Sequence, residues 1–265
     1  QDGIYQLTYS ALQAAGLPVD SLDPHTFQLF NMGSEVAIYV EGEGDGKFDP
    51  TDYILFYGQK MDTKYTNTNV YWLRYGGAEG LRMAPKDGTP AGAVPPAVFK
   101  NTVYLEEDHL YRSSVPMQED ADHWYWNYWN PPSVPTQSYT TTLNNISTDS
   151  YTCTLRSSFQ GFSSNSGVSP DHHLKLYITV GQNDQFVGDA YWDGQAEYVG
   201  EHTFPQSYLV NNGNNVIKIK APNDTGAGSD SGFVNWFEID YYDTYTAEGN
   251  RLHFSGDEAG TWEYH

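Results

Sequence analysis

Side chains that alternate between apolar and polar over short runs, each closed by a turn residue, constrain this chain more than any other feature. Ile4-Tyr5-Gln6-Leu7-Thr8-Tyr9 is the first such run, and a period of two places its side chains on opposite faces of a strand. Comparable runs follow at 27–30, 35–40, 53–57 and 70–75, bounded by Gly, Asp or Asn. A second series occupies 138–143, 151–159, 173–180, 196–204, 215–220, 233–242 and 251–254, with hairpin-type turns at Gly181-Gln182-Asn183-Asp184 and Asn211-Asn212-Gly213-Asn214. This spacing predicts an all-β chain of two β-sandwich, jelly-roll-like domains. One short helix is expected near the N-terminus, capped by Ser10, running through Ala11–Ala15 and stopped by Gly16 before Pro18. The run Asn130-Pro131-Pro132-Ser133-Val134-Pro135 removes donors and fixes φ. It sets the expected domains at 1–130 and 136–265. Residues 76–97, rich in Gly, Pro and Ala, read as a long surface loop.

Charge then excludes a function. With 13 Lys and Arg against 34 Asp and Glu the formal charge is −21, the wrong sign for a protein that displaces counterions from phosphates, so no nucleic-acid partner is expected. The 15% aromatic content separates the chain from a disordered acidic segment. No apolar run approaches the roughly 18 residues of a membrane span, so no membrane insertion is expected. The opening QDGIYQLTY has neither the basic nor the apolar region of a signal peptide. Cys153 is the single cysteine, which excludes an internal disulfide and a four-cysteine zinc site. Low Lys with abundant Tyr, Asn, Ser, Thr and Gly suggests a secreted, extracellular β-protein.

The sharpest local signal is the acidic segment 41–52. Calcium takes six to eight oxygens, and a twelve-residue loop supplies them from positions 1, 3, 5, 7, 9 and 12, with Gly at 6. Those positions are Glu41, Glu43, Asp45, the Lys47 carbonyl, Asp49 and Asp52, with Gly46 at the turn. A structural calcium ion is therefore one expectation. A solvated acidic hairpin is the other, since Glu stands at positions 1 and 3, Asp at 12, and the flanks read as strands.

Catalytic groups are weaker. Cys153 lies in an alternating strand with no partnered histidine and reads as a core residue rather than a nucleophile. Adjacent His172 and His173 start a strand and point to opposite faces, so they do not share a metal. His123 sits among aromatic residues, where packing or hydrogen bonding is expected. No P-loop, G-x-S-x-G or H-E-x-x-H occurs. The expectation is a non-catalytic chain. Among the aromatic residues, Trp192 in Tyr191-Trp192-Asp193-Gly194-Gln195 suits a sugar-stacking platform, with Asp193 and Gln195 to take hydroxyls. Core packing is the competing reading for each Trp. Trp124, Trp126 and Tyr128 share one strand face and Tyr125, Asn127 and Trp129 the other, so at least one face is buried.

Taken together, Gly3-Ile4-Tyr5, Leu12–Gly16, Asp45–Gly58, Thr66–Leu73, His123–Trp126, Val187–Gly194, Ala221–Gly226 and Val234–Tyr242 resemble, in collinear order, the non-catalytic β regions of secreted gingipain-like (family C25) cysteine peptidases and the related sortase-like component of the type IX secretion system. The resemblance implies an N-terminal region preceding a caspase-like catalytic domain in the same precursor. That domain's His and Cys have no counterpart here, so no catalytic residue carries over. Two functions follow as expectations. One is a calcium-stabilised accessory or pro-domain that contacts its cognate peptidase domain, or a cell-surface protein or glycan, with Arg82 and Lys86 of the 76–97 loop as conceivable cleft-filling residues. The other is a free-standing carbohydrate-binding module centred on Trp192.

Overall fold

The computed structural model describes residues 2–61, 63, 65–87, 89, 92, 96–118 and 121–256. The chain divides into two compact units, 1–89 and 90–265. The division falls within the Gly/Pro/Ala-rich stretch, not at the proline run of 130–135. The reason lies in the pairing described below: strands on both sides of that run belong to one sandwich.

In the first unit, β1 (Gly3–Thr8) leads into α1 (Tyr9–Ala14), and β2 (Gln28–Asn31), β3 (Ser34–Val36), β4 (Ile38–Glu41), β5 (Tyr53–Gly58) and β6 (Tyr71–Arg74) follow. They form two three-stranded antiparallel sheets, β1-β5-β4 and β3-β2-β6. The helix begins two residues earlier than expected: Thr8, not Ser10, is its N-cap and accepts from the Ala11 N–H at 3.2 Å. Gly16, at φ +88°, follows the helix in the left-handed conformation. Inward residues of both sheets and the helix build one core of Tyr9, Leu12, Phe27, Leu29, Ile38, Val40, Ile54 and Phe56, closed by Phe48 from the acidic loop.

The second unit is a sandwich of antiparallel sheets. Its strands are β7 (Val98–Glu106), β8 (Leu110–Tyr111), β9 (Trp124–Tyr125), β10 (Asn127–Trp129), β11 (Thr136–Leu143), β12 (Thr152–Gly161), β13 (His172–Val180), β14 (Asn183–Trp192), β15 (Glu197–Pro205), β16 (Gly213–Lys220) and β17 (Gly232–Thr244). One sheet runs β10-β17-β12-β15, with β7 continuing the β10 edge along β17; the other runs β11-β16-β13-β14; β8 and β9 form a small ribbon. Counting β7 and β10 together as the first strand, the two orders are 1-8-3-6 and 2-7-4-5. That interleaving of two Greek keys is a jelly roll. The prolines at 131–135 sit in the crossing from β10 in one sheet to β11 in the other. A break in strand geometry is needed there, and it is internal to the unit.

Leu155, Phe159, Phe237 and Ile239 from one sheet meet Leu174, Leu176, Ile178, Ile217 and Ile219 from the other, with Trp129 and Trp192 at one end of this core. Cys153 is buried among them, and its Sγ faces Gln206 Oε1 at 3.4 Å. In the 124–129 run Tyr125 and Trp129 are buried while Trp124 and Tyr128 are exposed. Arg251 makes only an isolated bridge with Glu248 rather than opening a last strand.

Close approach at one glycine gives a test of this packing. Gly232 pairs with Gly161 and with Trp129 across β17. A Cβ there would lie 2.3 Å from the Trp129 ring and 2.4 Å from the Gln160 carbonyl oxygen. Gly232→Ala is expected to lower unfolding free energy by about 1–3 kcal/mol in urea titration; an unchanged midpoint would show that this contact is looser than described.

Candidate functional site

The acidic loop joins β4 to β5, and its conformation is set by bonds within the first unit. Gly42 and Gly46 adopt φ of +85° and +77° around a 3₁₀ turn at Glu43–Asp45. A side chain at Gly42 would strike the Asp52 carboxylate, 2.1 Å away. Phe48 turns inward, edge-on to Phe27 at 5.2 Å and stacked near Tyr9. Four of the six expected calcium ligands are engaged separately. Glu41 accepts from Tyr39. Glu43 pairs with Arg82 at 2.8 Å. Asp45 accepts from the Lys47 N–H at 3.0 Å. The buried Asp52 carboxylate accepts from the Asp49 N–H at 2.7 Å, and the Asp52 N–H returns to the Asp49 carbonyl. No three carboxylate, imidazole or thiol groups gather for a metal among the described residues. The spacing matches a calcium loop, while in this arrangement the carboxylates do not gather on one point.

Arg82 corrects a second expectation. Its guanidinium donates to Glu43 and to the carbonyls of Phe27, Pro24 and His25 at 2.8–3.1 Å. Backbone bonds on either side of it, Ile38 N–H to the Leu81 carbonyl and Met83 N–H to the Ile38 carbonyl, fasten the segment to β4. Arg82 is thus a clamp on its own unit and not a free residue for an enzyme cleft. Lys86 is exposed.

Trp192 corrects a third. It is 8% exposed, with its ring edge-on to Trp129 at 5.6 Å and parallel to Phe159 and to the His172 imidazole, the last at 4.8 Å. Its pairing partner in β13 is His172, and both share the inward face with Leu174 and Leu176. Asp193 accepts from the Asp171 N–H and Ser169 hydroxyl, and the Gln195 amide donates to the Phe162 carbonyl. The buried Trp192 ring is not exposed to stack on a sugar, while Asp193 and Gln195 remain at the surface.

Trp192 packs instead against a buried polar cluster of Asp171, His172, His173 and Asp230 at the end of the sandwich, which sequence reasoning passed over. His172 and His173 point to opposite faces, as the pleat requires. His173 stacks on Tyr191 at 4.1 Å, with its two ring nitrogens facing Asp224 at 2.6 Å and Asp189 at 2.9 Å. Burial pushes the Asp189 carboxyl up, but the bonds from His173 and Lys175 outweigh it and hold the pKa below the ordinary value. His172 is fully buried; its Nδ1 faces Asp230 at 2.8 Å, and its Nε2 faces the carbonyls of Ser163 and Gly194 at 3.1 and 3.0 Å. Carbonyl and carboxylate oxygens only accept, so contacts at both ring nitrogens stabilise the imidazolium form. Burial opposes that charge. The Asp230 bond, supported by Asp171 and the Gly194 carbonyl, prevails and raises the pKa. Asp230 also accepts from the Trp129 indole at 3.1 Å and from the His173 N–H at 3.3 Å. Asp171 accepts from the Asn165 and Gly194 N–H groups. The cluster therefore ties the 162–171, 193–196 and 221–231 connections together.

Beside this cluster a cavity of about 400 Å³ opens between the 112–114 turn, β10 and the start of β17. It is the second unit's candidate ligand site. Elsewhere, burial pushes the Cys153 thiol up to about 12, with the nearby Asp240 charge adding to the effect, the opposite of a nucleophile's setting.

No family model matches the sequence, and no curated protein does. Among solved structures, dimeric latent PorU from Porphyromonas gingivalis is similar over 96% of this chain and 24% of that one, with TM-score 0.60 and 14% identity. The chain thus spans about a quarter of PorU's length and shares its fold there. BuGH86 in complex with neoagarooctaose (TM-score 0.27, 14% identity, 90% of this chain and 30% of that) and the plant receptor-like kinase ANX2 (TM-score 0.29, 8% identity, 92% and 81%) lie below the level of a shared fold.

Because the carboxylates of Glu41, Glu43, Asp45 and Asp52 are held by the protein's own donors, thermal midpoints in calcium and in chelator should agree within about 1 °C. A rise of several degrees in calcium would mean that an ion reorganises the loop and contradicts this description.

Proposed function

We propose that this chain is a non-catalytic accessory region of a secreted, gingipain-like cysteine peptidase or sortase-like protein, acting through contacts with a catalytic domain of the same precursor. The observation carrying this reading is the likeness to latent PorU, which extends over nearly the whole of this chain and only a fraction of that one. The collinear sequence resemblance to the β regions of such peptidases points the same way. Support also comes from the setting of Cys153, whose thiol is buried, protonated and bonded to Gln206. A pro-domain that inserts Arg82 into a cleft is not part of the reading, since that guanidinium is spent on carbonyls of its own unit. Calcium is not part of it either.

The test pairs the purified chain with the catalytic domain encoded by the continuation of its own reading frame. Expected are co-elution on gel filtration and no peptide hydrolysis by the chain alone. Hydrolysis by the isolated chain that disappears in Cys153→Ser, or failure of the two pieces to associate, would overturn the proposal.

A further inference from the structure

We infer that the cavity beside β10 and β17 is a binding site for a ligand with one carboxylate on an aromatic or bulky apolar body. Phe233 forms its floor, stacked from beneath by Tyr125 at 5.0 Å, with Phe162 edge-on at 5.4 Å and 43% exposed. Tyr128, 41% exposed, adds a further aromatic wall, and Ser114 and Ser231 line the same space. The volume of about 400 Å³ lies within the range of small-ligand pockets, roughly 300–1,000 Å³.

The cation at this site decides the chemistry. The Arg112 guanidinium lies over the Phe233 ring, 5.4 Å from its centroid. Its one side-chain hydrogen bond among the described residues is a long 3.5 Å contact to the Tyr111 carbonyl, and no described carboxylate pairs with it. Arg82 and Arg156 are bound to carboxylates, whereas Arg112, like Arg74 and Arg251, has none among the described residues; what sets Arg112 apart is the pocket it lines. Its turn is fixed: the Arg112 N–H donates to the His123 carbonyl, His123 Nδ1 lies 3.1 Å from the carbonyls of Arg112 and Val115, and Tyr125 donates to the Val115 carbonyl. The Arg112 side chain, itself exposed, lies over the aromatic floor of the pocket, a setting that pairs a planar guanidinium with a carboxylate while rings stack below.

The strongly negative field of the whole chain disfavours polyanions, because repulsion grows with each added ligand charge. An acidic polysaccharide is accordingly the wrong occupant. A single carboxylate meeting Arg112, with an aromatic side chain between Phe162 and Tyr128, satisfies both the charge and the apolar walls. Either a free aromatic acid or the carboxyl end of a peptide carries that chemistry.

Titration calorimetry of the full chain separates the outcomes, using acetyl-Gly-Gly-Phe with a free carboxyl, its carboxamide, N-acetylphenylalanine and tri-galacturonate. The free acids should bind, the carboxamide at least about tenfold more weakly. Arg112→Gln should remove the preference for acid over amide, and Phe162→Ala, at an exposed ring, should weaken both. Tighter binding of the peptide than of N-acetylphenylalanine identifies a chain terminus, and equal binding a small acid. Equal affinity for acid and amide, preference for tri-galacturonate, indifference to Arg112→Gln, or no saturable binding up to about 1 mM would each overturn the inference. Circular dichroism melts of both variants establish that they remain folded.

Discussion

The Asp230 carboxylate is the contact on which the end of the second unit depends. One buried group accepts from the Trp129 indole in β10, from the imidazolium of His172 and from the backbone of His173 in β13. Both sheets of the sandwich and the connection into β17 therefore meet at one charge. A buried ion is costly unless it is paired and its remaining hydrogen-bonding capacity is filled. Here the second nitrogen of His172 is filled by the Ser163 and Gly194 carbonyls, which belong to neighbouring loops. The ionic pair and the loop conformations are for that reason mutually dependent. Trp192, stacked on the imidazolium, shields the pair from water.

Much of the architecture was legible in the sequence, and the failures have identifiable causes. Alternation located the strands that carry the inward residues Leu155, Leu174, Leu176, Ile217 and Ile239, because a half-buried strand repeats every second residue. It missed β14, whose Asn183-Asp184-Gln185 opening is polar and whose register against β13 shifts between Leu176 and Tyr177. It missed β7, which follows a Gly/Pro/Ala-rich stretch and pairs with β17 more than a hundred residues later. The prolines at 131–135 do break a strand, but a jelly roll breaks strands wherever the chain crosses between sheets. A proline run therefore marks a crossing as readily as a domain boundary.

The candidate sites fared less well, because each depended on partners distant in the chain. Carboxylate spacing at 41–52 reproduces a calcium loop, yet Arg82, thirty-nine residues away, takes Glu43, and Phe48 draws the loop into the core. The turn at Asp193-Gly194 was recognisable, and it suggested a surface ring at Trp192. Parity along β13 and β14 argues otherwise: His172 lies two residues before Leu174 on the inward face, and Trp192 pairs with it. Arg112 gave no signal in the sequence at all. Its significance comes only from the aromatic floor beneath it and from what does not pair with it among the described residues.

The central claim is that an ionic His172–Asp230 contact holds this end of the sandwich, and an NMR titration of the His172 ring in the native chain and in Asp230→Asn tests it most directly. A folded-state pKa raised above the unfolded value gives stability that is complete below the unfolded value and is lost as pH rises through the folded one. The account predicts a native midpoint above the free-histidine value of about 6.5, a lower midpoint in Asp230→Asn, and native stability that declines as pH rises through that native midpoint. A midpoint at or below about 6.5 that does not respond to the substitution would contradict it.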